Sequence, residues 1–208
     1  MSAFEQFGDT QLDVLREIGN IGAGHAATAL SHLLKKPIDM KVPNVRFVPF
    51  DLVTEQVGGG EAVVAVVFLR VEGDVSGNLF FILSVDSARK MLSQLVEEDT
   101  VREESFTELE ISALSEIGNI LAGSYLASLA DLTSLAFSPT PPSLAVDMAG
   151  AILAYGILQY GDMGDHALLI ETTLFEGFER VEGNFFFIPD PDSFETLFRA
   201  LGVPPNES

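Results

Sequence analysis

Two stretches of the chain set a carboxylate beside a carboxamide, and they do so at the same spacing. The first reads Asp13-Val-Leu-Arg-Glu17-Ile-Gly-Asn20-Ile-Gly-Ala-Gly, and the second reads Ser112-Ala-Leu-Ser-Glu116-Ile-Gly-Asn119-Ile-Leu-Ala-Gly. On an α-helix, residues three and four apart share a face, so Glu17 stands beside Asn20 and Glu116 beside Asn119. A carboxylate accepts hydrogen bonds, while a carboxamide both donates and accepts them. A proline follows each Asn at the same distance of twenty-three residues, as Pro43 and Pro142.

A single Glu-x-x-Asn says little, because both residue types are common on solvated helix faces. Two matched copies say more. With Leu15, Ile18 and Ile21 turned inward, Asp13, Glu17 and Asn20 turn outward, as do Ser112, Glu116 and Asn119 in the second copy. Outward residues have little packing reason to match, so the repetition points to a shared task. Other chemistries find less support. Gly19-Asn-Ile-Gly-Ala-Gly24 lacks the spacing, the preceding strand and the Lys-Ser/Thr of a phosphate-cradling loop. His25, His32 and His166 are too few and too scattered for a metal cluster, and no metal site is expected. The absence of cysteine removes a thiolate nucleophile and a disulfide framework.

The elements that position these residues follow from periodicity. Apolar residues from 10 to about 34 recur at helical spacing and predict one long helix. Gly19, Gly22 and Gly24 within it each cost roughly 1 kcal/mol against Ala, which predicts a second backbone packed closely there. An extended run over 38–50, with Pro43 and Pro49, predicts an edge or irregular strand, and 51–60 a short helix or loop. The β-branched and aromatic runs 62–71 and 77–85 read as a hairpin. Asp86-Ser87 reads as the cap of an amphipathic helix carrying Ala88, Met91, Leu92 and Leu95, followed by an acidic surface stretch, 97–104.

The programme then restarts. Thr107 to Glu110 form a capping-box pattern for a helix to about 132, and Pro139 to Pro142 form an extended stretch. The run 144–158 is rich in Ala, Met and Leu and reads as helical. Strands are expected at 167–175 and 184–189, and a last helix at 192–201. Local copies support the match: Gly77-Asn-Leu-Phe-Phe-Ile82 repeats as Gly183-Asn-Phe-Phe-Phe-Ile188. These Phe-rich runs are expected in the core. The fold expected is α/β: a single domain from an internal duplication, pseudo-two-fold, with two long helices packed on a shared, largely antiparallel sheet. Repeat one covers about 10–96, an acidic linker about 97–106, and repeat two about 107–202. One fused domain is favoured because each half has too few strands to cover a sheet on both faces.

Composition bounds the partners. The chain has 208 residues, 47% of them hydrophobic, and a formal net charge of -20. Such charge repels nucleic-acid phosphates and anionic membrane surfaces. Only four lysines stand against seven arginines. Two readings of the acidity stay open: a salt-rich cytoplasm as in halophiles, where salt screens self-repulsion, and an ordinary acidic protein. No basic-then-apolar leader and no apolar stretch of about 18 residues stands out, so a soluble cytoplasmic protein is expected.

The pattern Asp/Ser-x3-Glu-x2-Asn-x22-Pro, present twice, resembles the signature of the CheC family of chemotaxis phosphatases, which includes CheC, FliY and CheX. The resemblance runs over nearly the whole chain, and the two-copy form without a flagellar-switch domain is most similar to the CheC branch. It implies hydrolysis of the aspartyl phosphate on a CheY-type response regulator. By motif position the first site is Asp13, Glu17, Asn20 and Pro43, and the second is Ser112, Glu116, Asn119 and Pro142. Asn20 and Asn119 would orient the attacking water, and Glu17 and Glu116 would pair with the regulator's lysine. Asp13 and Ser112 would help docking, while Pro43 and Pro142 would shape the chain beside each site. The resemblance implies no cofactor of the chain's own, Mg²⁺ being the regulator's. It also implies docking of the receptor deamidase CheD on a helix over 144–155, with Asp147 at its start and Met148 beside it. The alternative is a non-catalytic binding module acting on CheD or on the flagellar switch.

Overall fold

The computed structural model describes residues 9–93, 105–160, 166–177 and 179–202. The chain opens with helix α1 (Asp9–Leu34), strand β1 (Asp39–Pro49) and two short 3-10 turns, Phe50–Leu52 and Thr54–Val57. The hairpin β2 (Val63–Gly73) and β3 (Gly77–Ser84) leads into α2 (Val85–Ser93). The second half runs α3 (Glu108–Thr133), β4 (Phe137–Pro139), β5 (Ser143–Met148), α4 (Ala149–Tyr160), β6 (His166–Glu176), β7 (Glu179–Pro189) and α5 (Pro191–Ala200).

Seven strands form one antiparallel sheet in the order β1-β6-β7-β3-β2-β4, with β5 continuing the outer side of β2. The order is unchanged when β1 is exchanged for β4 and β5, β2 for β6, and β3 for β7. At the centre the two matched motifs lie against each other, Leu79 opposite Phe187, Phe81 opposite Phe185 and Ile82 opposite Asn184. Strand alternation divides their side chains between two cores. Leu79, Phe81, Phe185 and Phe187 join α1 and α3 on one face, while Phe80, Ile82, Phe186 and Ile188 meet Ile152 and Leu153 of α4 on the other. Phe81 stacks on Phe185 at 4.5 Å, and Tyr125 of α3 meets Phe185 edge-on at 4.9 Å.

The helix pair forms as its residues dictate. In α1, Leu15, Ile18, Gly19, Gly22, Ala23, Ala26 and Leu30 are buried. A Cβ added to Gly22 would lie 2.8 Å from Tyr125 Cδ1 and 3.2 Å from the Ser124 carbonyl, so the expected close approach of a second helix occurs there. Gly19 faces the Val42 side chain instead, and Gly24 faces open space. Helix α3 begins with the expected capping box: Glu110 N–H donates to Thr107 Oγ1 at 3.2 Å, and Thr107 N–H donates to Glu110 Oε2 at 2.7 Å.

Three local expectations need correction. Helix α2 begins before Asp86, and the Ser84 hydroxyl, not Asp86-Ser87, takes the Ser87 N–H at 3.0 Å. The run 144–158 is not wholly helical: Ser143–Met148 is a strand paired with β2, and the helix begins at Ala149. Ala, Leu and Met favour helix locally, but the outer side of β2 offers unpaired backbone groups that this segment satisfies. Ile21 is 48% exposed rather than inward, because Gly22 takes the helix contact. The stretch 97–104, residue Leu95 and the loop 161–165 lie outside the described residues.

Candidate functional site

Both motif copies sit on the long helices, as their spacing requires. On α1, Asp13 and Glu17 are exposed, and Val14 and Ile21 add exposed apolar surface around Glu17. The Asp13 carboxylate accepts from Arg16 Nη2 at 2.8 Å, an exposed pair of small energetic weight. On α3, Ser112, Glu116 and Asn119 are all exposed, and position 115 holds Ser where the first copy has Arg16. The helices bring together Glu17 with Asn20, and Glu116 with Asn119. The prolines stand on the neighbouring outer strands: Pro43 is exposed within β1, and half-buried Pro142 directly precedes β5.

Asn20 departs from the outward, free position expected of it. It is half-buried, and its Nδ2 donates to the Arg16 carbonyl at 3.0 Å and to the Val42 carbonyl at 3.2 Å. Its Oδ1 accepts from the Val42 N–H at 3.0 Å. The cause lies in β1, whose pairing with β6 is interrupted between Lys41 and Asn44. This bulge takes Val42 out of the ladder, and Asn20, whose side chain carries the same groups as a peptide bond, satisfies the freed N–H and C=O. Glu17, Glu116 and Asn119 have no hydrogen-bond or ion-pair partner among the described residues.

Sequence reasoning overlooked Val42. The signal was present, since the position matching Val42 in the second copy is Pro141, which has no N–H to offer. It also missed Tyr125, which ties α3 to β6: its hydroxyl lies 2.9 Å from Thr172 Oγ1, and burial pushes its pKa up to about 12, partly opposed by that hydrogen bond.

Asp147 and Met148 occupy the end of β5 rather than a helix start. Both are exposed, and Asp147 Oδ1 accepts the Met148 N–H at 2.7 Å. Asp147 also lines a largely apolar groove between the sheet and α4, together with Phe68, Phe80, Ala145, Val146, Ala151 and Ile152. Among the described residues, no three His, Asp or Glu side chains converge as metal ligands. No described helix is long and apolar enough to cross a membrane.

A palindromic antiparallel sheet with one long helix contributed by each half defines a class of fold, and known proteins share that fold. The solved structure of Thermotoga maritima FliY superposes with a TM-score of 0.72 at 21% identity, over 94% of this chain and 98% of that one. The FliM middle domain from H. pylori gives 0.69 at 12% identity, over 93% and 99%. In sequence, the model of the CheC-like family matches residues 11–46 and 109–146, the two stretches that hold the paired motifs. The CheY-P phosphatase CheC of Bacillus subtilis (strain 168) is 43% identical over 207 residues, covering 98% of this chain and 99% of the relative. The flagellar motor switch phosphatase FliY of the same organism is 28% identical over 66% of this chain and 36% of its own length. The chain belongs to the CheC family.

Proposed function

We propose that this protein is a CheY-P phosphatase, hydrolysing the aspartyl phosphate of a CheY-type response regulator. The observation that carries the reading is the exposed pair Glu116 and Asn119 on α3, with both side chains unengaged. Its placement in a family whose near-full-length relative is named for this activity supports the same conclusion.

An acyl phosphate is already reactive, so the partner needs chiefly to hold a water in line with the phosphorus. The Asn carboxamide suits that task because it can accept a hydrogen from the water and donate to a phosphoryl oxygen. Water attacks phosphorus, the bond to the acyl oxygen breaks, and the regulator keeps its carboxylate while inorganic phosphate leaves. Glu116, and Glu17 in the first copy, would pair with the regulator's lysine and anchor the inserted helix. The exposed apolar residues Val14 and Ile21, and Leu109 and Ile111 on α3, provide surface for docking. Mg²⁺ belongs to the regulator, and the chain supplies no cofactor. This reading places the protein in the cytoplasm with its regulator. Docking of CheD fits the exposed Asp147 and Met148 beside the apolar groove.

The test is the decay of phosphorylated CheY with and without this protein. The full chain accelerates decay, and replacing Asn20 and Asn119 together by Ala abolishes the acceleration while circular dichroism stays native. A double variant with full activity refutes the water-orienting assignment. No acceleration by the unaltered chain, in dilute or molar salt, would favour a binding module.

A further inference from the structure

The two sites share a motif but not a geometry, and the difference traces to one backbone N–H. In the first half, Lys41 pairs with Thr173 and Asn44 with Glu171, leaving Val42 and Pro43 in the bulge. The second half repeats the bulge: Thr140 N–H donates to the Arg70 carbonyl at 2.8 Å, and Ser143 pairs with Phe68. Pro141 and Pro142 lie between, so Pro141 stands where Val42 stands. Val42 donates its N–H to Asn20; Pro141 has none to donate.

We propose that turnover runs through Asn119, and that Val42 and Pro141 are the positioning residues that make the sites unequal. Asn20 serves as a clip that fastens β1 to α1. To orient a substrate water with its acceptor and donor, Asn20 must surrender hydrogen bonds to Val42, while Asn119 surrenders none. Two net hydrogen bonds correspond to a factor of roughly ten or more in the population of a free carboxamide. The packing agrees. Gly19 rests against the buried Val42 side chain, whereas its counterpart Gly118 rests against Val67 of β2, and Asn119 beside it is exposed.

This inference rests on the phosphatase reading, and its test separates the two. In the CheY-P decay assay, Asn119→Ala loses at least about tenfold in rate, and the loss with Asn20→Ala is the smaller. Adding Val42→Pro to Asn119→Ala recreates Pro-Pro at the first bulge and frees the Asn20 acceptor. It removes no ladder bond, because Val42 is unpaired with β6. That double variant regains activity severalfold over Asn119→Ala, a gain that a merely structural role for Val42 would not produce. Equal losses for the two single Asn variants overturn the proposal, as does a folded double variant with no gain. If Val42→Pro does not fold, side-chain amide exchange of the unaltered chain decides by NMR. The Asn20 NH₂ exchanges slowly and the Asn119 NH₂ fast, and equal rates overturn the clip. If the unaltered chain does not accelerate decay, the phosphatase reading falls and takes the catalytic half of the proposal with it, while the exchange rates still judge the clip.

Discussion

Two glycines two residues apart on α1 should respond to the same substitution with opposite sign. Alanine is favoured over glycine in a helix by roughly 1 kcal/mol. At Gly24 a new Cβ has nothing within 4 Å, so Gly24→Ala should collect most of that gain. At Gly22 the Cβ would lie 2.8 Å from Tyr125 Cδ1, 3.1 Å from Tyr125 Cα and 3.2 Å from the Ser124 carbonyl oxygen. Two of those three atoms are backbone, so α3 itself must move. The ring has little freedom to yield, held at 2.9 Å to Thr172 and edge-on to Phe185. Overpacking of this kind costs about 1–3 kcal/mol, which exceeds the propensity gain. The propensity gain is common to both variants, so they should differ in stability by the overpacking cost, about 1–3 kcal/mol, or roughly 2–12 °C in melting temperature for a chain of this length. Urea denaturation followed by far-UV circular dichroism measures the difference. A Gly22→Ala protein as stable as the unaltered chain, or a Gly24→Ala protein destabilised to the same degree, would refute the helix crossing described above.

Tyr125 predicts an alkaline limit. Its native pKa of about 12 lies above the ordinary value of 10.0. Between those values the unfolded chain releases the phenolic proton and the native chain retains it, so stability is lost as pH rises above 10. The loss reaches roughly 2–3 kcal/mol by about pH 12. Tyr125→Phe removes this decline and costs about 1 kcal/mol at neutral pH by leaving Thr172 without its partner. Urea midpoints of both proteins at neutral pH and near pH 11 check it, and parallel declines would count against it. The net charge of -20 predicts a rise in stability with salt, as the screening length falls from about 30 Å in dilute buffer to about 3 Å in molar KCl. Equal midpoints in the two buffers would remove the high-salt reading of the acidity.

Much of this architecture could be read from local pattern. The long helices, the hairpin β2–β3, the capping box at Thr107 and the irregular edge strand with Pro43 all rest on contiguous residues. Their signals survive because each element's own periodicity and turn chemistry agree with its place in the fold. The matched Gly-Asn-x-Phe-Phe-Ile strings were legible as core strands, whereas their pairing with each other at the centre of the sheet was set by the tertiary structure. Ser143–Met148 was not legible: its composition favours helix, and only the vacant outer side of β2 makes it a strand. Nor were the three glycines distinguishable, because a helix-crossing glycine and a solvent-facing one look identical until the neighbouring helix is in place.

The candidate site divides along the same line. The sequence alone determined that two Glu-Asn pairs exist, that each pair shares a helix face, and that Pro141 stands where the other copy has Val42. Only the tertiary structure decided that this difference matters. A bulge formed by pairing with β6, a strand more than a hundred residues away, releases the Val42 N–H, and the fold carries it to 3.0 Å from Asn20. Whether a carboxamide is free for chemistry depends on which donors and acceptors reach it, and those come from elements that no local pattern contains.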